Sequence, residues 1–235
     1  METKKQKIPA ALVHLYTGLG LPLALWAALA IADHDPRQFL IALWLAVFID
    51  ATDGFLARKL DVKRLLPGFD GRRLDDIIDY LTFVFLPSVG FAEFGILSEN
   101  QTWIAAIPLL ASAYGFCQER AKTEESFVGF PSYWNLVFLY LYILSPPQWL
   151  TIAVISGLSI LVFVPVHYIY PSRTKWMRPV SIGLGCLYAP ATAALCFFPS
   201  ANWAENVAMV SLLYPIYYLL ISGLHHRRIS KTNSV

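Results

Sequence analysis

Residues 38–58 read QFLIALWLAVFIDATDGFLAR. An apolar run from Phe39 to Ile49 passes without a turn residue into Asp50, and Asp53 and Gly54 follow on the next turn. A helix of about 20 such residues spans the hydrocarbon core of a bilayer. Its two acids then stand at the membrane boundary, where an ionised carboxylate is expensive unless it is paired, hydrated or bound to metal. The same pattern returns in reverse at residues 71–83, GRRLDDIIDYLTF, where Asp75, Asp76 and Asp79 open the next apolar segment.

Working outward, the chain has 235 residues, 57% hydrophobic and only 14% charged, against about 25% charged in a soluble domain. That composition excludes ordinary soluble folds and predicts an all-α polytopic membrane bundle forming a single domain over residues 1–235. Apolar segments lie at roughly 9–32, 38–57, 73–92, 102–118, 131–145, 149–170, 180–198 and 203–224, giving about eight transmembrane helices. The fifth is short and needs its start extended into GFPSY, residues 129–133. Every Lys and Arg except Arg37 falls in the termini or in alternate connections, so the positive-inside rule predicts that both termini are cytoplasmic. The same count favours retention of the first segment over its removal as a signal peptide. A net charge of +2 gives no basic surface for nucleic acid. Cys117, Cys186 and Cys196 are too scattered for a disulfide framework and read as small buried residues, while His225 and His226 read as a solvated tail. The connection at 58–72 carries an amphipathic stretch that fits either an anionic membrane surface or a plain topogenic loop.

On a helix, residues three or four apart share a face, so Asp50 pairs with Asp53 and Asp75 with Asp79. Adjacent antiparallel segments bring the two pairs together at one membrane boundary. Four facing carboxylates suit one or two hard divalent ions, Mg2+ or Mn2+. Gly54, Ala57 and Gly71 remove bulk near that face, and Asp76 is rotated away from it. Metal ions beside arginines fit a phosphate or pyrophosphate substrate, with one carboxylate left to take a proton from an attacking hydroxyl. A cation or proton transporter would instead spread its acids along a path across the membrane.

The stretch Asp50-x2-Asp53-Gly54-x2-Ala57-Arg58, followed by Gly71-x3-Asp75-x3-Asp79, resembles the signature of the CDP-alcohol phosphatidyltransferases. Its spacer between Arg58 and Gly71 is longer than usual. HLYTGLG, YGFCQERAKT, GFPSYWN and YPSRTKW are similar to the bacterial branch whose acceptor alcohol is choline. The resemblance implies transfer of phosphatidyl from CDP-diacylglycerol to choline with Mn2+ or Mg2+, two ions per site. It implies an inner-membrane bundle that can pair as a homodimer, with lipids as its surroundings. Asp50, Asp53, Asp75 and Asp79 would hold metal and Asp79 would act as base. Asp53, Gly54, Ala57, Arg58 and Gly71 would line the nucleotide and pyrophosphate site. Arg120, Lys122, Arg173 and Lys175 are candidates for lipid phosphates, although topology explains such bases equally well. For choline, Tyr16, Tyr114, Trp134 and Tyr188 offer ring faces and Glu119 a counter-charge. Serine, inositol and glycerol phosphate stand as alternative acceptors.

Overall fold

The computed structural model describes residues 4–119, 121, 123 and 125–232. Helices α1 (Lys4–Gly18) and α2 (Gly20–Ala32) continue one another through Leu19, which keeps right-handed helical angles. A turn with His34 at φ 51° leads to α3 (Pro36–Lys59). Pro36 pre-sets the first turn, and Asp35 caps it by accepting the backbone N–H of Gln38 at 3.0 Å. That bond, with a second from the Gln38 side chain, holds the Asp35 carboxyl below the usual carboxylate range.

The connection that follows holds a one-turn helix, α4 (Val62–Leu65). It buries Val62 and Leu65 against Ala10 and Val13 of α1 and leaves Lys63 and Arg64 exposed. Next comes α5 (Gly71–Asp79), capped by Asp70, then a π-helical stretch at Tyr80–Phe85, then α6 (Leu86–Glu93). The wide turn has a local cause, because Pro87 has no N–H for the Phe83 carbonyl one turn back. A 3₁₀ segment at Glu99–Ala105 runs into α7 (Ala106–Cys117). After it come α8 (Trp134–Leu144), α9 (Gln148–Phe163), α10 (Arg178–Phe197), α11 (Ala204–Ser211) and α12 (Leu213–Thr232).

Among the described residues, four helices are long and apolar enough to cross a membrane: Lys7–Ala32, Pro36–Lys59, Arg178–Phe197 and Ala204–Lys231. Their outer faces carry large exposed apolar side chains such as Leu25, Phe48, Leu187 and Leu220. Lipid is as apolar as these side chains, so the bundle is held by close packing rather than by water exclusion. Its centre is a ring cluster of Phe39, Phe91, Phe138 and Trp134, all fully buried, with the Phe39 and Phe138 centroids 4.8 Å apart. Gly90 admits that contact, since a Cβ there would lie 2.8 Å from Phe138 and 3.0 Å from Phe39.

Several expectations change here. The GFPSY residues do not extend the fifth segment as helix, because Gly129 and Ser132 both take positive φ (84° and 59°). Instead β1 (Ser126–Val128) pairs antiparallel with β2 (His167–Ile169), and Phe130 N–H donates to the Leu161 carbonyl at 3.0 Å. The sixth segment likewise ends as helix at Phe163, ahead of Pro165, rather than reaching residue 170. His225 is buried and accepts from the Trp176 indole N–H at 3.1 Å, and His226 accepts the His167 backbone N–H at 3.3 Å. The end of α12 is therefore pinned to the ribbon and is not a solvated tail. Of the cysteines only Cys196 is buried; Cys186 lies on an exposed face of α10, where lipid accepts an apolar thiol as readily as the interior does, and Cys117 ends α7 beside a polar cleft.

Gly90→Val should lower the melting temperature in detergent, corresponding to about 1–3 kcal/mol of overpacking. Gly157→Ala, with nothing near the added Cβ, should not lower it.

Candidate metal and active site

The later part of α3, through Thr52 and Asp53, and the start of α5, at Gly71, both pack against α1. Two side-chain contacts set their depth. The Ile78 side chain occupies the space a Cβ on Gly20 would fill, and the His14 ring occupies the space beside Gly71. His14 also packs on Phe69, with ring centroids 4.4 Å apart. Gly71 therefore serves the approach of α1 to α5.

Asp50, Asp75 and Asp79 each offer one carboxylate oxygen such that all three lie within 4.8 Å of one another, in a half-buried position. Ionised together in this setting they repel by roughly 3 kcal/mol per pair at an effective dielectric of about 20. A hard divalent ion held by these oxygens would remove that repulsion. The donor set is all oxygen and fits Mg2+ or Mn2+ better than a thiolate-seeking metal. Asp53, the fourth acid of the pattern, follows Asp50 by one turn of α3. It is buried, and its Oδ2 accepts the Thr17 hydroxyl of α1 at 2.8 Å. Beside it the Tyr16 and Thr52 hydroxyls lie 2.8 Å apart.

The remaining expected residues divide. Arg58 folds back along α3 so that its Nη1 would lie 3.2 Å from a Cβ on Gly54. Ala57 packs with the Val62 and Leu65 cluster. Asp76 is turned away, 3.8 Å from Arg72, and lines a polar cleft of about 330 Å³ with Asp70, Arg73 and Glu119. Arg173 lies over the Tyr170 ring at 4.6 Å, and its Nε is buried without a partner. Lys175 pairs with Glu125 at 3.3 Å in an exposed position. Arg120 and Lys122 lie outside the described residues.

The structure does not bring the expected choline residues to the acids as a group. Tyr16 is engaged with Thr52, and Tyr114 is exposed against Phe163 at 4.8 Å. Trp134 is fully buried in the central ring cluster, donating to Ser112 at 2.8 Å. Tyr188 accepts from the Tyr140 hydroxyl at 3.1 Å and stacks behind Tyr214 at 4.5 Å. What the sequence reading missed is Tyr133. Its ring packs on Phe83, one turn beyond Asp79, with centroids 6.2 Å apart. It lies within electrostatic reach of both Asp50 and Asp79. The GFPSYWN block held it, and only the non-helical path of that block reveals its direction.

Residues 7–214 match the sequence model of CDP-alcohol phosphatidyltransferases. The chain belongs to the CDP-alcohol phosphatidyltransferase family. A phosphatidylcholine synthase of Legionella pneumophila is 36% identical, over 94% of this chain and 89% of that protein. Others from Pseudomonas aeruginosa and Brucella melitensis are 39% and 34% identical, over 73% and 93% of this chain and 73% and 82% of theirs. For a CDP-alcohol phosphatidyltransferase, which works with divalent metal, the Asp50, Asp75 and Asp79 cluster is the ligand set that fits such an ion.

Asp79→Asn should weaken Mn2+ binding to the purified protein at least about tenfold, measured by electron paramagnetic resonance. Asp76→Asn should leave the affinity within about threefold, because Asp76 faces Arg72 instead.

Proposed function

We propose that this chain transfers the phosphatidyl group from CDP-diacylglycerol to choline, giving phosphatidylcholine and CMP. The observation that carries this reading is the likeness to proteins named phosphatidylcholine synthase along almost the whole chain, combined with three converging carboxylates at the family signature. The chain acts as one domain in a bacterial inner membrane, with eight crossings, both termini and the site on the cytoplasmic side, and can pair as a homodimer.

Asp50, Asp75 and Asp79, with Asp53 beside them, hold Mn2+ or Mg2+, two ions in all. When bound, the metal neutralises the pyrophosphate and makes CMP a better leaving group. Asp79 takes the proton of the choline hydroxyl as its oxygen bonds to the phosphorus that carries diacylglycerol. The bond from that phosphorus to the bridging oxygen breaks, and CMP departs with the electron pair. Arg58 holds the nucleotide phosphates, with Gly54, Ala57 and Gly71 lining that site. The buried, unpartnered Nε of Arg173 suits a lipid phosphate oxygen. Asp50, Asp53, Asp75, Asp76 and Asp79 cluster at one end of two adjacent apolar segments and are not spread along a route across the membrane, which weighs against transport.

Purified protein with CDP-diacylglycerol, labelled choline and Mn2+ should form phosphatidylcholine and CMP in equal amounts, and chelation of the metal should stop both. Equal turnover of serine or inositol would overturn choline as the acceptor. Asp79→Asn should lower kcat by about 10²–10⁴-fold.

A further inference from the structure

A quaternary ammonium has no hydrogen-bond donor, so its binding site is made from ring faces and negative field. Both meet on one side of the acid trio. Ser132, buried and left-handed at φ 59°, turns the chain just before α8. This sets Tyr133 against Phe83 of the helix that carries Asp79. Phe83 follows Asp79 by four residues and shares its face, so the Tyr133 ring stands on the side of that helix that carries the acid, within electrostatic reach of Asp50, Asp79 and Tyr214 of α12. Tyr218, one turn further along α12, meets Tyr133 edge-on at 6.1 Å and is stacked on Tyr168 of the ribbon at 6.0 Å. Tyr188 backs Tyr214 at 4.5 Å.

Simple packing does not account for the chemistry of this wall. The Tyr218 hydroxyl is buried beside the Tyr133 phenol and makes no hydrogen bond of good geometry there, a polar burden that phenylalanine would avoid. An aromatic wall that ends in phenols beside carboxylates combines π faces with a negative field. Choline has only two carbons between its hydroxyl and its charge, so a hydroxyl delivered to Asp79 leaves the charge near the rings flanking that acid.

We infer that Tyr133, with Tyr214 and Tyr218 beside it, forms the wall that holds the trimethylammonium group of the acceptor while its hydroxyl reaches Asp79. This rests on choline being the acceptor. Tyr133 then sets acceptor specificity.

The test uses purified full-length protein with CDP-diacylglycerol and Mn2+. Tyr133→Leu should raise the KM for choline at least about tenfold and leave the KM for CDP-diacylglycerol within about twofold. Tyr133→Phe, which keeps the ring, should hold the choline KM within about threefold. The preference for choline over its uncharged isostere 3,3-dimethylbutan-1-ol should narrow in Tyr133→Leu by a similar factor, which a merely structural role would not produce. If Tyr133→Leu does not fold, fluorinated phenylalanines at position 133 replace it, and the choline KM should climb with each fluorine. An unchanged choline KM, an unchanged preference over the isostere, or a flat fluorine series in an enzyme that uses choline would overturn this inference alone. A wild-type protein that turns over serine or inositol and not choline would overturn both it and the proposed acceptor.

Discussion

Three carboxylates whose oxygens lie within 4.8 Å of one another are an arrangement that the chain has to be held into. Each pair is repulsive by an amount comparable to a sizeable fraction of a domain's net stability. The opposing scaffold is dense. Gly20 receives Ile78 and Gly71 receives His14, so α1 and α2 lie close against α5. The Thr17 hydroxyl ties α1 to α3 through Asp53. These contacts hold the acids at a separation that suits a metal ion, and a bound ion would return stability to the same helices. Packing and ligand binding thus stabilise the same arrangement at this end of the bundle.

Much of this is legible in the sequence. The helical spacing of Asp75 and Asp79 opposite Asp50 places acids on facing sides, while Asp53, expected on the same face, accepts from Thr17 of α1; the rotation of Asp76 away from them follows from its position one residue after Asp75. The ribbon and its consequences are not legible. Hydropathy registers that residues 131–145 and 149–170 are apolar, but apolar residues in lipid are equally at home in helix, in strand or on either face. What breaks the helix before Trp134 is positive φ at Gly129 and Ser132, and these, with Pro131 between them, are turn residues that a hydropathy reading passes over. His225 shows the same limit, for a basic C-terminal tract reads as solvated until the partner that buries it, Trp176 from a distant loop, is known.

Aromatic residues illustrate why long-range pairing had to be seen. With 15 Phe, 12 Tyr and 7 Trp in the chain, membrane depth selects many rings and distinguishes none. Trp134 and Tyr133 are neighbours in sequence, yet one fills the central cluster and the other lies at its edge against Phe83, one turn beyond Asp79. The difference comes from the start of α8, where adjacent residues leave the backbone on different sides. Tyr188 was at the right depth but lies one layer back, supporting Tyr214.

The contact of Asp53 with α1 follows from helix geometry. Residues four apart are rotated about 40° from one another, whereas residues three apart differ by about 60°. Asp75 and Asp79 therefore present nearly one line of oxygens toward α3. Asp50 meets that line, and Asp53, rotated further, turns toward α1 and the Thr17 hydroxyl. Its burial keeps it fixed there. Two acids of one motif thus reach two neighbouring helices. One joins the cluster that needs a cation, and the other is anchored beside Gly54, where the Arg58 side chain folds back.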